Sequence, residues 1–398
     1  MNVNGLKSAV AKIDFYAGKI YNWMYVFGVS LIGRIIYPIQ IIKNRRQFVN
    51  ATSYFPEKER KSFTERLVDQ LWWSIKYGDI NKYYFMWGGD VKGNSLKGYV
   101  PWFKWVNARQ QLNKAPRRPV YDFYNSVCLL RDKFYFETVL NKAGYSTPVN
   151  LMMINDARLY LLNSTCKPSA AVGLDAILDY EIDAFCKRNV GYGGGMDDDV
   201  FSLRVSARRI FIRGKETSFE EFRRIVSQGK SSWIIQERIN NQDQFMSQFH
   251  PSSVNTIRIV TVKSHDKTID AICSFARFGV NGRGSDNWSS GGVLVGIDVK
   301  NGKFEDFGLM RPGVGTRIYK HPDTGVTFKD KAVPKWQGIV EYVKSLHELF
   351  YDLHSIGWDI CLTDDGPVII EGNDNWDTID AQFYRPGKDI FDKYFKTK

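Results

Sequence analysis

Cysteine and histidine are scarce, with five of each in 398 residues. Cys128, Cys166, Cys186, Cys273 and Cys361 are scattered and include no Cys-x-x-Cys pair. That argues against a zinc site or a disulfide frame and for free thiols in a reducing compartment. The histidines show no metal spacing; His347 and His354 fall on one expected helix and read as core or rim residues. The Gly-Lys-Ser/Thr ending of a Walker loop is missing, and so is the Rossmann fingerprint. No nucleic-acid-binding motif appears. The start lacks a short apolar core followed by a small-residue cleavage site, so no signal peptide is expected. Acid is the minority charge: 43 Asp and Glu stand against 55 Lys and Arg, for a formal net charge of +12. Such a balance favours anionic partners: nucleotides, nucleic acid, acidic glycans or an anionic membrane surface.

What is present begins with 43% hydrophobic residues, enough for a large core in two or three lobes. Aromatics make up 15% of the chain. They fit sugar or membrane-interface contact, and they fit a large core as well. Chemistry concentrates in the stretch from Gly357 to Asn375. Trp358 to Leu362 and Val368 to Ile370 predict two strands around the turn Asp364-Asp365-Gly366-Pro367. Side chains alternate along a strand, so Asp359 is expected to face Glu371, with Asn373 on the same side as Glu371. Two carboxylates and an amide oxygen suit Mg²⁺, which fills its other positions with waters and nucleotide phosphates. A polar hairpin end is the plain alternative.

We divide the chain into residues 1–50, a basic and aromatic arm; 51–125, a helical accessory region; 126–240, a nucleotide-binding lobe; and 241–398, a lobe carrying the metal. Within the arm, Ile20 to Ile42 is apolar and aromatic, interrupted by Arg34 and kinked by Pro38, and followed by Lys43, Arg45 and Arg46. It is marginal as a spanning helix. It reads as an interfacial or re-entrant anchor, or as a helical hairpin packed on the main body. In the accessory region Phe63, Leu67, Leu71 and Ile75 keep helical period. The aromatics Tyr83 to Trp87, Trp102, Phe103 and Trp105 follow, for core packing or for stacking on sugars. Pro116-Arg-Arg-Pro119 marks a linker.

In the next lobe, Arg131 to Gly144 predicts a helix with Asp132 near its N-cap and Gly144 as its stop. Lys187 ends a strand before Asn189-Val-Gly-Tyr-Gly-Gly-Gly-Met196. Glycines let backbone N–H groups approach phosphates and the lysine adds a point charge; a flexible hairpin tip explains the stretch equally well. Ser218 to Glu221 has capping-box spacing. Ser232 to Ile239 predicts a strand whose polar end, Gln236 and Glu237, is placed to meet an adenine edge through the backbone. The last lobe offers strands at Val254–Val262, with Arg258, and at Ala271–Phe278, with Arg277. A Gly/Ser/Asn-rich loop then holds Arg283, Asp286, Asn287 and Ser290. Pro334 to His354 predicts a long helix with Gly357 at its end.

This order of elements resembles the ATP-grasp superfamily over roughly residues 126–382. The hairpin, the lysine before the glycine loop and Asn255-Thr-Ile-Arg258 carry the match. Val-Asn-Thr-Ile-Arg, Asp-Asn-Trp-Ser-Ser-Gly-Gly and Gly-Pro-Val-Ile-Ile-Glu-Gly-Asn are similar to its sugar-transfer-associated branch, found with polysaccharide-assembly genes. The front departs from the pattern: an aromatic, helical segment stands where many relatives have a small α/β domain, which puts the acceptor in doubt. The fold implied is α+β, with two lobes clamping ATP and a mainly helical, aromatic-rich N-terminal extension.

By that resemblance Lys133 and Lys187 reach the ATP phosphates, and Gly193, Gly194 and Gly195 form a lid over them. Gln236, Glu237 and Ile239 hold adenine and ribose. Asp359, Glu371 and Asn373 bind Mg²⁺, and Arg258 steadies an acyl phosphate or a tetrahedral intermediate. Arg277, Arg283, Asp286, Asn287 and Ser290 sit where a carboxylate substrate or an acceptor would bind, although a structural loop accounts for them too. The activity implied is a carboxylate–amine ligase of surface-polysaccharide or capsule assembly. It would join a sugar acid or amino-acid carboxylate to an amine in the cytoplasm, with the arm at the inner face of the membrane. An ATP-grasp kinase acting on a hydroxyl and a membrane-associated protein with a vestigial ATP site are the rival readings.

Overall fold

The alternating stretches of the middle of the chain become an antiparallel sheet of eight strands. They are β1 (Asn150–Asn155), β2 (Arg158–Leu161), β3 (Val172–Gly173), β4 (Ile182–Arg188), β5 (Val200–Ser206), β6 (Arg209–Ile212), β7 (Lys215–Thr217) and β8 (Trp233–Glu237). Their order is β3-β2-β1-β8-β4-β5-β6-β7. The structure is a computed structural model that describes residues 24, 27–113, 125–162, 168–190, 199–228, 232–281, 286, 288 and 291–396. A second antiparallel sheet, of seven strands, has the order β13-β12-β11-β10-β9-β14-β15. Its members are β9 (Thr256–Lys263), β10 (Ile269–Phe278), β11 (Val293–Ile297), β12 (Phe304–Leu309), β13 (Arg317–Ile318), β14 (Ser355–Thr363) and β15 (Gly366–Asn373).

Each sheet has its own core. In the first, Ala184, Cys186, Leu203, Trp233 and Ile235 pack with Phe222 of a helix over Phe219–Val226. Ser218 caps that helix by accepting from the Glu221 N–H, while the Glu221 carboxylate accepts from Arg224. The second sheet is covered on both faces, which is why β9, β11 and β14 are buried along nearly their whole length. Ile257, Ile259, Ile356, Trp358 and Ile360 pack on one face with Trp336, Ile339, Val343 and Leu346 of a helix over Trp336–Glu348. Val260 and Val262 point to the other face, with Trp105 and Trp376.

The long helix is shorter than expected. It starts after Lys335, whose φ of 53° makes Pro334 a residue before the cap, and the chain leaves it well ahead of His354. Gly357 is not its end but lies inside β14. A Cβ at Gly357 would come within 2.8 Å of the Trp376 side chain, so close packing explains this glycine.

Many aromatics of the accessory region are core residues, while Trp72 and Trp102 are exposed. Tyr54, Trp73, Tyr84, Phe85 and Trp87 join Phe275, Leu294 and Phe383 in one buried cluster against the second sheet. Among the described residues before position 126 there are four helices: α1 (residues 27–43), α2 (Arg45–Val49), α3 (Phe63–Tyr77) and α4 (Trp102–Asn113). Helix α3 opens with a complete capping box between Ser62 and Glu65 and closes at Gly78 in the left-handed region, φ 64°. Helix α1 runs on through Pro38. Residues 20–23, 25 and 26 of the apolar stretch, and the Pro116–Pro119 segment, lie outside the described residues.

Candidate active site

Two short helices bring the first basic residue to the gap between the sheets. Helix α5 (Val127–Arg131) is followed at once by α6 (Lys133–Lys142), whose N-cap is Asp132. The Asp132 side chain accepts from the Tyr135 N–H at 3.0 Å and from the Asn189 amide at 3.1 Å. Asn189, just past β4, accepts from the Lys133 N–H with its backbone and from the Phe134 N–H with its side chain. This clasp fixes Lys133 beside the end of β4. On β4 itself Ala184 and Cys186 face the core, so alternation turns Phe185 and Lys187 to the opposite face. Gln236 stands directly across from Phe185 on β8, and Lys187 donates to its side-chain oxygen at 2.7 Å.

The second sheet supplies the acid. In its register Phe275, Arg258, Asp359 and Glu371 form one row across β10, β9, β14 and β15. Asp359 therefore faces Glu371, and Gly366, φ 121°, makes the tight turn that returns the chain. Asn373 donates its amide to Glu371 at 3.0 Å. Arg258 grips Asp359 through two N–H groups, one to each carboxylate oxygen, and Arg277 adds a third contact at 2.9 Å. Arg277 also donates to the Thr256 hydroxyl at 2.8 Å, and Asp286 accepts from the Thr256 N–H at 2.9 Å.

These groups line a single cleft of about 680 Å³, within the usual range for a small-molecule site. Lys133, Lys187, Gln236, Glu237 and Ile239 line it with Arg258, Arg277, Asp286, Asp359, Glu371 and Asn373. Its apolar lining includes Leu130, Phe136, Pro148, Phe185, Val254 and Ile370. Every described member of the expected set is thus brought together. Gly193, Gly194, Gly195, Arg283, Asn287 and Ser290 lie outside the described residues. Arg188 and Asp199, on either side of residues 191–198, form an ion pair at 2.6 Å. Glu237 is partly occupied: its N–H donates to the Val149 carbonyl, and its carboxylate accepts from the Val149 N–H at 3.0 Å.

Burial sets the charge states. It pulls the Lys187 ammonium down to about 8, with Glu371 opposing, and it lowers Lys133 as well. Glu371 is raised by burial and by the neighbouring Asp359 carboxylate. Burial alone would raise Asp359 too, but Arg258 and Arg277 hold it well below the usual carboxylate range. Asp380, beside Arg258 at 3.6 Å, is pushed up by burial to about 8.

Among the described residues no group of three or more His, Cys, Asp or Glu side chains is placed to hold a metal ion. The set here is two carboxylates and an amide, and it fits a cation that shares its shell with phosphate and water. A buried aspartate and a half-buried glutamate side by side repel each other unless a proton or a cation lies between them. Sequence reasoning missed Thr256, Asp380, Asn189 and the Arg131–Asp374 ion pair at 2.8 Å. Asp374 lies within the Gly-Asn-Asp-Asn run after Glu371, and its partner is visible only in three dimensions.

The fold is of the ATP-grasp class, two antiparallel sheets facing a shared cleft behind a helical N-terminal region. Residues 115–386, more than half of the chain, match the model of the sugar-transfer associated ATP-grasp family, and the chain belongs to that family. No curated protein matches it. Among solved structures it is similar to the ADP complex of N5-carboxyaminoimidazole ribonucleotide synthetase. Identity is 12% and TM-score 0.34, over 62% of this chain and 45% of that one. The Thermotoga maritima synthetase gives 11% and 0.31, over 62% and 42%. The D-alanine–D-alanine ligase of Bacillus anthracis complexed with ATP gives 13% and 0.34, over 67% and 66%. The chain thus spans less than half the length of the first two, 45% and 42%.

Proposed function

We propose that the protein is an ATP- and Mg²⁺-dependent carboxylate–amine ligase of surface-polysaccharide or capsule assembly, acting in the cytoplasm on a sugar acid or an amino-acid carboxylate. The observation that carries this reading is the cleft, where two half-buried lysines on one wall oppose two carboxylates and an amide on the other. The polysaccharide setting rests on the family. Residues 126–240 and 241–398 are the two lobes in this reading.

Phosphoryl transfer asks a protein for positioning and charge neutralisation more than for covalent help. Lys133 and Lys187 neutralise the phosphates of ATP, and Gln236, Glu237 and Ile239 hold the nucleoside. Asp359, Glu371 and Asn373 hold Mg²⁺, which when bound neutralises β- and γ-phosphate charge. Arg277, Arg283, Asp286, Asn287 and Ser290 take the carboxylate substrate or its acceptor. A carboxylate oxygen attacks the γ-phosphorus, the bond to ADP breaks, and an acyl phosphate forms. Arg258 steadies that group and the tetrahedral intermediate that follows. The amine attacks the carbonyl carbon, phosphate leaves with the former carboxylate oxygen, and a base removes the amine proton to give the amide. Gly193 to Gly195 exclude water while the acyl phosphate lives.

The test is ADP release with Mg²⁺ across a panel of sugar acids and amino acids, each with and without an amine. Release that rises only when both are supplied is expected. Release that ignores the amine and leaves phosphate on the product refutes the ligase in favour of a kinase.

A further inference from the structure

Helix α1 touches the rest of the protein along a narrow strip. Gly33 meets the end of α3 so closely that a Cβ there would lie 2.3 Å from the Gly78 carbonyl oxygen. The Ser30 hydroxyl donates to the Tyr77 carbonyl at 3.4 Å, Arg34 donates to the Lys76 carbonyl at 3.1 Å, and Ile41 is buried. The opposite side is apolar and bare. Leu31, Ile32, Ile35, Ile36, Ile39 and Ile42 are each 46–61% exposed. At about 100° per residue, these positions fall within an arc of about 140° on one side of the helix. Helix α3 adds an exposed stripe of its own, Val68, Trp72 and Ile75, with the Lys76 ammonium 4.2 Å over the Trp72 ring. An apolar surface of this kind on a folded protein marks an interaction site.

Charge identifies the partner. No acidic residue occurs between Asp14 and Glu57, while Lys19, Arg34, Lys43, Arg45 and Arg46 do. Among the described residues no helix is long and apolar enough to cross a membrane. The seat against Gly78 also ties one side of α1 to protein. A helix with one bare apolar side and basic flanks lies in the plane of a bilayer interface, its apolar side in the acyl boundary and its cations at lipid phosphates. We propose that α1, together with the exposed stripe of α3, docks flat on an anionic phospholipid surface. This does not depend on the chemistry assigned to the cleft.

The test is co-sedimentation of the full chain with vesicles of phosphatidylcholine alone or of phosphatidylcholine mixed with phosphatidylglycerol, beside light scattering without lipid. Binding to the mixed vesicles, falling steeply with salt, is expected. Ile35→Glu/Ile39→Glu should weaken it at least about tenfold by removing apolar burial. Arg45→Glu/Arg46→Glu should weaken it by about tenfold or more, through charge alone. Both variants should keep the native melting temperature. Native protein that stays in the supernatant overturns the proposal. So does binding that survives Ile35→Glu/Ile39→Glu. A lipid-free dimer that this pair converts to monomer, without vesicle binding by the native chain, overturns it by making a second copy the occupant.

Discussion

Asp359→Asn and Glu371→Gln make the same chemical change at two carboxylates paired across one hairpin, and the structure separates their effects. Asp359 accepts from Arg258 at both oxygens and from Arg277 at 2.9 Å. An amide there takes the nearest counter-charge from buried Arg258 and half-buried Arg277, leaving only Asp380 and Asp286, each at 3.6 Å, and breaking a buried pair costs about 3–5 kcal/mol. Glu371 accepts from the Asn373 amide at 3.0 Å and repels Asp359. Removing its charge relieves a buried like-charge contact, so stability should stay within about 1 kcal/mol or rise. If the proposed magnesium site is right, each change takes away a metal ligand, and turnover should fall at least about a hundredfold in both. Thermal unfolding and ADP release read the two effects independently. Mg²⁺ should raise the melting temperature of the native chain, because a ligand that binds only the folded state stabilises it, and should not raise that of Glu371→Gln. Turnover of Glu371→Gln within a few-fold of native refutes the metal assignment. An Asp359→Asn variant that melts with the native chain refutes the reasoning on the buried arginines.

On the proposed assignment of Lys187 to the ATP phosphates, Lys187→Ala should raise the KM for ATP and lower turnover, each by about tenfold or more, in steady-state kinetics. His347 is buried, pairing its Nδ1 with the Thr261 hydroxyl at 2.7 Å and its Nε2 with the Leu353 carbonyl at 3.2 Å. Burial lowers it to about 4, and His354 likewise. A histidine depressed in the fold contributes stability that is whole above its unfolded value near 6.5 and lost as pH falls towards 4, up to about 3 kcal/mol each. Denaturant titrations should therefore show stability dropping between pH 6.5 and 4, and His347→Gln should flatten that slope while costing stability at neutral pH. Gly33→Ala places a methyl against the Gly78 carbonyl and should loosen α1, seen as faster amide exchange there, with about 1–3 kcal/mol of local stability lost. Ser62→Ala removes one half of a capping box and should cost about 1 kcal/mol in thermal unfolding.

Local chemistry was legible where spacing alone decides geometry. Asp359 facing Glu371 follows from strand alternation and a turn written Asp-Asp-Gly-Pro, and Asp132 as a cap follows from its place before an apolar period. The ladder across β10, β9, β14 and β15 was not legible. Which strand lies beside which is decided by long-range packing, so the grip of Arg258 and Arg277 on Asp359, and the place of Thr256 between Arg277 and Asp286, had no sequence signal. The helix expected over Pro334–His354 ran too far. Phe350 and Leu353 keep its apolar period but are buried in the segment leading to β14. The start of α3 has a local signal in Ser62-Phe-Thr-Glu65, a capping box directly before the apolar period that begins at Phe63. The aromatics of residues 83–105 carried no period to say which face they cover; Tyr84, Phe85, Trp87 and Trp105 are buried against the second sheet, and Trp102 is exposed.

The central claim is carboxylate activation in the cleft, and oxygen-18 transfer tests it most directly. A substrate carboxylate labelled with oxygen-18, turned over with ATP, Mg²⁺ and an amine, should pass one labelled oxygen to the released phosphate. Phosphate released without label, or phosphate retained on a hydroxyl of the product, contradicts the account.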